Sequence, residues 1–230
     1  MNDNKRWLLP CIFFAAATLL NLAGRLWLPA MAAAVKPALL PLLAVTCAVY
    51  AQGRGLRAKD LNLLVMAQLL GCAGDIFLLH SEVFLLFAGG IVSFLAGHVA
   101  YLKIFGSRAW KGMSGGWWAV SCLAVGALVA ILIRVIGVSG ALLAPMAIYG
   151  AVLILVPFTG LCGILRLGGC NWWIVFTGGL LFLVSDAMIA VQTFNELSQP
   201  ELVGFLIMLT YLAAQSLLAV GALRLARQES

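Results

Sequence analysis

Residues 61–79, with the sequence LNLLVMAQLLGCAGDIFLL, form an apolar run of the length that crosses a lipid bilayer. Asn62, Gln68 and Asp75 carry the only strongly polar side chains in this run. A carboxylate inside such a run costs about 2.5–3.5 kcal/mol to insert, and buried charges of this kind usually serve function or pair with a cation. The stretch therefore predicts a transmembrane helix that carries one buried acidic group.

Similar apolar runs fill nearly the whole chain. Of its 230 residues, 64% are hydrophobic and 10% are charged, whereas soluble domains carry about 25% charged residues. We therefore predict an all-α fold: a polytopic membrane helix bundle of eight transmembrane helices, with residues 1–230 as a single integral membrane domain. The predicted spans are 7–28, 30–51, 61–79, 83–105, 116–137, 140–162, 172–194 and 202–223.

Basic residues alternate between the connections of this bundle. The opposite connections are poor in Lys and Arg, and the one at 195–201 is acidic. By the positive-inside rule this pattern predicts both termini in the cytoplasm and a multi-pass protein of the cell (inner) membrane. The net charge of +6 then reflects topology, and we expect no nucleic-acid partner. The basic connections carry Lys5 and Arg6; Arg54, Arg57 and Lys59; Lys103, Arg108 and Lys111; Arg166; and Arg224 and Arg227.

Three cations lie inside the predicted spans rather than in the connections. Arg25 and Arg134 are close to outer span ends, from which their side chains can extend to the interface. Lys36 lies about two turns into the second span. Its ammonium group must therefore find a partner or water, and Asp75 is one candidate at comparable depth.

Two short matches suggest a 4+4 internal repeat. Residues 74–79 in the third span resemble residues 185–190 in the seventh, and Lys36-Pro37 parallels Ala144-Pro145. Parallel repeats of four spans would be related by an axis along the membrane normal. Such a duplication would bring Asp75 and Asp186 to facing positions near that axis.

Asp75 and Asp186 are the strongest candidates for chemistry. Both lie several residues inside spans that run outward, so similar depth favours a shared cavity. Two neighbouring carboxyls, one neutral and one ionised, would supply an acid and a base. The alternative is structural, with each aspartate only pairing with a cation or capping a broken helix.

Other polar side chains could line the same cavity or simply join helices in lipid. His98 and Tyr101 share a face of the fourth span, and Tyr211 and Gln215 share a face of the eighth. Tyr149 in the sixth span and Ser185 beside Asp186 complete the supporting set. His98 could equally be a core histidine bonded to a neighbouring helix.

Metal and cofactor chemistry lack a sequence signature here. The chain has six cysteines, no CxxC, no HExxH and no Walker loop. Ser185 has no adjacent histidine that would make it a nucleophile. We therefore expect no metal site and no cofactor.

Several short motifs occur in an order and spacing that resemble the YhhN-like lysoplasmalogenases. The resemblance implies an eight-span hydrolase that cleaves the vinyl ether bond of lysoplasmalogens to a fatty aldehyde and a glycerophospho-alcohol. It also implies that Asp75 and Asp186 are the catalytic residues and that a lysophospholipid is the substrate. The motifs are Lys36-Pro37, Gly74-Asp75-Ile76-Phe77-Leu78, Phe94 with Gly97-His98 and Tyr101, Phe182-Leu183-Val184-Ser185-Asp186, and Thr210-Tyr211 with Gln215.

Two other functions fit the same residues. A proton-coupled transporter of a small amphiphile would use the aspartates as proton or cation sites. A non-catalytic membrane binding protein would use the polar residues only to hold its helices together. The oligomeric state, the headgroup preference and the division of roles between the aspartates stay open at this point.

Overall fold

Long α-helices account for nearly all of the chain. The computed structural model describes residues 5–52, 54, 56, 58–137, 140–194 and 199–227. Among these residues, eight helices are long and apolar enough to cross a membrane, so the chain is a multi-pass membrane protein. They are α1 (Leu8–Trp27), α2 (Pro29–Ala51), α3 (Ala58–Leu78), α4 (Phe84–Ala109), α5 (Gly115–Ile136), α6 (Leu143–Arg166), α7 (Cys170–Phe194) and α8 (Pro200–Arg227).

The eight predicted spans are confirmed, with shifts of a few residues at their ends. The largest shift is in the sixth span, predicted at 140–162, where residues Gly140–Leu142 instead form a short 3₁₀ turn before α6. Of the charged connections, Arg57 and most of the acidic stretch, residues 195–198, lie outside the described residues. The single domain and the internal repeat stay predictions.

The helix ends follow local sequence signals. Pro29 occupies the first turn of α2, where its missing N–H removes no helical hydrogen bond. Ser114 caps α5 because its hydroxyl accepts a hydrogen bond from the Trp117 amide at 3.4 Å. Gly137 ends the same helix with a φ of +78°, a left-handed conformation that glycine adopts without strain.

Residues Met1–Ile104 and Ala219–Ser230 form one compact unit, in which α1 packs on α2 and α2 on α3. Gly24 permits the first contact, since a Cβ there would lie 2.8 Å from the Ala32 amide nitrogen. Gly74 of α3 similarly leaves room for the Phe94 ring of α4. Small residues thus let these helices approach closely.

Residues Phe105–Leu218 form the second compact unit, in which α6 packs on both α5 and α7. A Cβ at Gly160 would lie 2.6 Å from the backbone of Phe176, and one at Gly179 would lie 2.6 Å from the nitrogen of Pro157. Both glycines therefore bring α6 and α7 into backbone contact. Asp186 lies on α7, about two helical turns after Gly179.

Candidate functional site

Asp75 lies in the last turn of α3 and is almost completely buried. The Lys36 Nζ of α2 lies 3.1 Å from its Oδ1 atom, and the two side chains are only 10% and 4% exposed. The sequence predicted that Lys36 needs a partner or water and offered Asp75 as one candidate, and the ion pair confirms that candidate. The pair brings α2 and α3 together around one buried charge couple.

Two prolines shape the part of α2 that carries Lys36. Pro37 and Pro41 both lie inside the helix. Because Pro41 has no N–H, it cannot donate the helical hydrogen bond to the Pro37 carbonyl. The Cys72 thiol of α3 lies 3.3 Å from that carbonyl oxygen and donates to it instead. The Lys36-Pro37 motif is thus tied to α3 one turn before Asp75.

A second cation stands near the same carboxylate. Arg25, in the last turn of α1, is half-buried and lies within electrostatic range of Asp75. Four residues earlier, the buried Asn21 donates from Nδ2 to the Ala32 carbonyl of α2 at 2.8 Å. The sequence placed Arg25 at the interface and did not pair it with Asp75. The spacing of Asn21 and Arg25, four residues apart on one face of an apolar helix, could have indicated that this face packs against the bundle.

The predicted face of α4 is buried. His98 and Tyr101 are 2% and 1% exposed, and the His98 Nδ1 donates to the Phe94 carbonyl of its own helix at 2.7 Å. This hydrogen bond lies within α4, and the bond to a neighbouring helix that the core interpretation predicted stays a prediction. Nearby in the same unit, Gln68 of α3 lies 3.7 Å from the Cys47 sulfur of α2.

Asp186 on α7 is buried and has a phenolic partner. The Tyr149 hydroxyl of α6 donates a hydrogen bond to its Oδ2 atom. Sequence reasoning placed Tyr149 in the supporting set without pairing it with this aspartate. The hydrogen bond lets Tyr149 orient the Asp186 carboxyl from across the α6–α7 contact.

A small cavity lies beside this pair. Its volume is about 30 Å³, and Tyr149 and Asp186 share its wall with apolar side chains such as Leu132 and Ile136. A cavity of this size accommodates a water molecule if it offers polar partners. The phenol and the carboxyl supply those partners, so the site can hold a water against Asp186.

The remaining predicted residues of the second unit lie on α7 and α8. The Ser185 hydroxyl donates to the Ile207 carbonyl at 3.1 Å, so it joins these two helices. The Tyr211 ring meets the Phe182 ring edge-on with centroids 5.4 Å apart, and Gln215 is fully buried one turn later. The Tyr211 ring and the Ser185 hydroxyl therefore take part in helix packing.

The structure thus groups the predicted residues into two sets. Lys36 and Asp75 belong to the first unit together with His98 and Tyr101, whereas Tyr149 and Asp186 belong to the second together with Ser185, Tyr211 and Gln215. In the part of the chain that the structure describes, no three His, Cys, Asp or Glu side chains form a group able to hold a metal ion. The convergence of the two aspartates in one cavity stays a prediction.

Comparison with known proteins adds an independent observation. No solved structure gives a significant match. The human protein named lysoplasmalogenase TMEM86B is 29% identical over 229 residues, a match that covers 96% of this chain and 88% of the human protein. The model of the YhhN family matches residues 31–222, which include both aspartates and all the other candidate residues. The chain therefore belongs to the YhhN family.

Proposed function

We propose that this chain is a membrane hydrolase that cleaves the vinyl ether bond of lysoplasmalogens. The products would be a fatty aldehyde and a glycerophospho-alcohol, either glycerophosphoethanolamine or glycerophosphocholine. The observation that carries the proposal is the similarity to a lysoplasmalogenase over nearly the whole chain, together with two buried intramembrane aspartates. A buried carboxyl inside a membrane span raises the free energy of the folded protein, and a catalytic role explains why such a residue is present.

The proposed reaction needs an acid, a carboxylate and a water molecule. The acid protonates the β-carbon of the vinyl ether, and the π electrons leave an oxocarbenium ion on the carbon bonded to oxygen. Water adds to that carbon and loses a proton, which gives a hemiacetal. The hemiacetal then collapses to the aldehyde and releases the glycerol oxygen as an alcohol. Protonated and ionised carboxyls can supply every proton transfer in this sequence.

We assign the acid role to Asp186. Its neutral carboxyl would donate the proton to carbon, and the resulting carboxylate would take a proton from water in the adjacent 30 Å³ cavity. Tyr149 would hold the carboxyl in place and stabilise the carboxylate by its hydrogen bond. The presence of a water-sized cavity at Asp186 is what supports this assignment.

Asp75 would act as the permanently ionised member. The Lys36 ammonium at 3.1 Å supports the carboxylate form, which can stabilise positive charge that develops on the substrate. His98, Tyr101, Tyr211 and Gln215 would line the path of the glycerol and alkenyl groups. No metal and no organic cofactor enters the proposed chemistry.

We further propose that both termini face the cytoplasm and that the protein resides in the cell (inner) membrane. Alternate ends of the described helices carry the basic residues, for example Arg54, Lys111, Arg166 and Arg224. Labelling of single cysteines with a membrane-impermeant thiol reagent tests this orientation in intact cells. Labelling of a cysteine placed next to Lys111 from outside the cell would contradict it.

The function is tested by giving purified protein in lipid nanodiscs a lysoplasmenylethanolamine. We expect fatty aldehyde and glycerophosphoethanolamine in equal amounts, and no release from the matched alkyl-ether lipid, which has no vinyl group to protonate. Uptake of the lipid by proteoliposomes without turnover would instead indicate the transporter. If the protein shows no turnover and no uptake, the non-catalytic binding protein is the function that remains.

A further inference from the structure

The charges around Asp75 do not balance within their cluster. Lys36 pairs with the carboxylate directly, and Arg25 lies within electrostatic range of the same carboxylate. Two cations and one anion leave this three-residue cluster with one net positive charge. An uncompensated charge is costly where water is scarce. One more anion at this cluster would balance that charge.

The two cations lie on helices that pack directly against each other. The helices run antiparallel and are joined through Leu28, with Gly24 against Ala32. In a helix the Cα–Cβ bond tilts toward the N-terminus. The tilt at Arg25 points away from the end of α1 and the tilt at Lys36 points toward the start of α2, a geometry that favours an approach of the two side chains.

Arg25 also has an unused donor. Its Nε atom is buried and has no hydrogen-bond partner among the described residues. A buried donor without a partner is rare in folded proteins and calls for a ligand or an ordered water. The guanidinium carries five N–H groups in a planar fork, a geometry that matches two oxygens of a phosphate.

We propose that Arg25 and Lys36 bind the phosphodiester of the lysolipid headgroup. This inference rests on the function proposed above and deepens it, because it names the group by which the substrate is held. The phosphate monoanion would balance the charge of the cluster and accept hydrogen bonds from the guanidinium. Asp75 would keep the Lys36 ammonium in place beside it.

The test compares two substrates that differ only in the phosphate. One is lysoplasmenylethanolamine, and the other is the 1-alkenylglycerol with the same chain and no headgroup. In R25Q we expect KM for the phospholipid to rise about tenfold to a hundredfold, the loss typical of a hydrogen bond to a charged group. The KM for the alkenylglycerol should stay within about twofold of wild type, since it makes no such contact.

Arg134 provides the matched control. It lies in the last turn of α5, as Arg25 lies in the last turn of α1, but it is exposed. R134Q should leave both KM values unchanged. R25K, which keeps the charge and loses the fork, should fall between wild type and R25Q and covers the case in which R25Q does not fold. The assignment would be overturned if R25Q and R25K changed KM for the alkenylglycerol as much as KM for the phospholipid.

Binding of a substrate analogue separates this proposal from the proposed function. The alkyl-ether lysophosphoethanolamine cannot be hydrolysed, so its affinity is measured without turnover. Weaker binding to R25Q than to wild type supports the phosphate subsite even if wild type released no aldehyde, a result that would overturn the hydrolase alone. Equal binding would overturn the subsite.

Inorganic phosphate distinguishes a headgroup from a free anion at the same residues. If the lipid headgroup is the ligand, millimolar phosphate should not displace the bound alkyl-ether analogue. Full displacement by phosphate, lost in R25Q, would show that the residues hold a free anion and that the lipid assignment is wrong.

Discussion

The Tyr149 hydroxyl donates a hydrogen bond to the Asp186 carboxyl group across the contact between α6 and α7. In Y149F the aspartate loses that donor while the ring keeps its packing. We expect kcat for aldehyde release to fall about tenfold to a hundredfold with KM unchanged, because a hydrogen bond to a charged group is worth about 1.5–3 kcal/mol. Steady-state kinetics of the purified variant measure this effect.

Tyr50 supplies the control for that variant. It lies near the end of α2, where its ring contacts Trp7 and Arg54, away from Asp186 in sequence and in the other unit. Y50F should retain the wild-type kcat. A Y149F enzyme as active as Y50F would show that Tyr149 does not support the catalytic carboxyl.

The ion pair between Lys36 and Asp75 makes a prediction about stability. K36M leaves the buried carboxylate without its cation, a change that typically costs about 3–5 kcal/mol of unfolding free energy. The double variant K36M/D75N should be more stable than K36M, since it buries neither charge. Denaturation in mixed micelles measures the cycle, with the exposed Lys59 changed in K59M as control. Strictly additive losses would mean that the two side chains do not interact.

The cavity beside Asp186 predicts a steric effect on the water. A Cβ at Gly150 would meet the Leu132 Cδ2 atom at 3.3 Å, and both residues line that cavity. G150A should therefore take up the space for water and lower kcat by about tenfold, a part of the roughly 100- to 10,000-fold that general acid–base catalysis contributes. The matched change G126A, where a Cβ would meet nothing within 4 Å, should have no effect. Equal rates in the two variants would remove the cavity from the mechanism.

Protonation at carbon predicts an isotopic signature in the product. Turnover in D₂O should place one deuterium on the aldehyde carbon next to the carbonyl, the former β-carbon of the vinyl ether. Mass spectrometry after immediate reduction to the alcohol measures it, with unlabelled aldehyde incubated in D₂O as the exchange control. An aldehyde without deuterium would show that the bond is cleaved by another route.

The helices were predictable because lipid demands long apolar runs, a property visible in sequence. The predicted bounds of the sixth span are shifted from those of α6 because hydropathy does not register the 3₁₀ turn at Gly140–Leu142 or the extension of α6 to Arg166. The Lys36–Asp75 pair was predictable as well, since a cation two turns inside a span needs an anion at similar depth. Both predictions rest on the cost of burial alone.

The partners of Arg25 and Asp186 were not predictable in the same way. Arg25 lies close enough to a helix end to reach the interface, and its place near Asp75 depends on how α1 packs on α2 through Gly24 and Ala32. Tyr149 and Asp186 are 37 residues apart, and their contact depends on how α6 packs against α7. Helix packing of this kind depends on side-chain shape along both faces, which hydropathy does not describe.

The central claim is that two buried aspartates carry out the hydrolysis. The most direct measurement is the initial rate of aldehyde release from lysoplasmenylethanolamine by D75N and D186N, with D60N as control because Asp60 is also buried on α3. We predict a loss of about a hundredfold or more in each of the two variants and a wild-type rate in D60N, with all three proteins folded. Wild-type rates in folded D75N or D186N would contradict the claim.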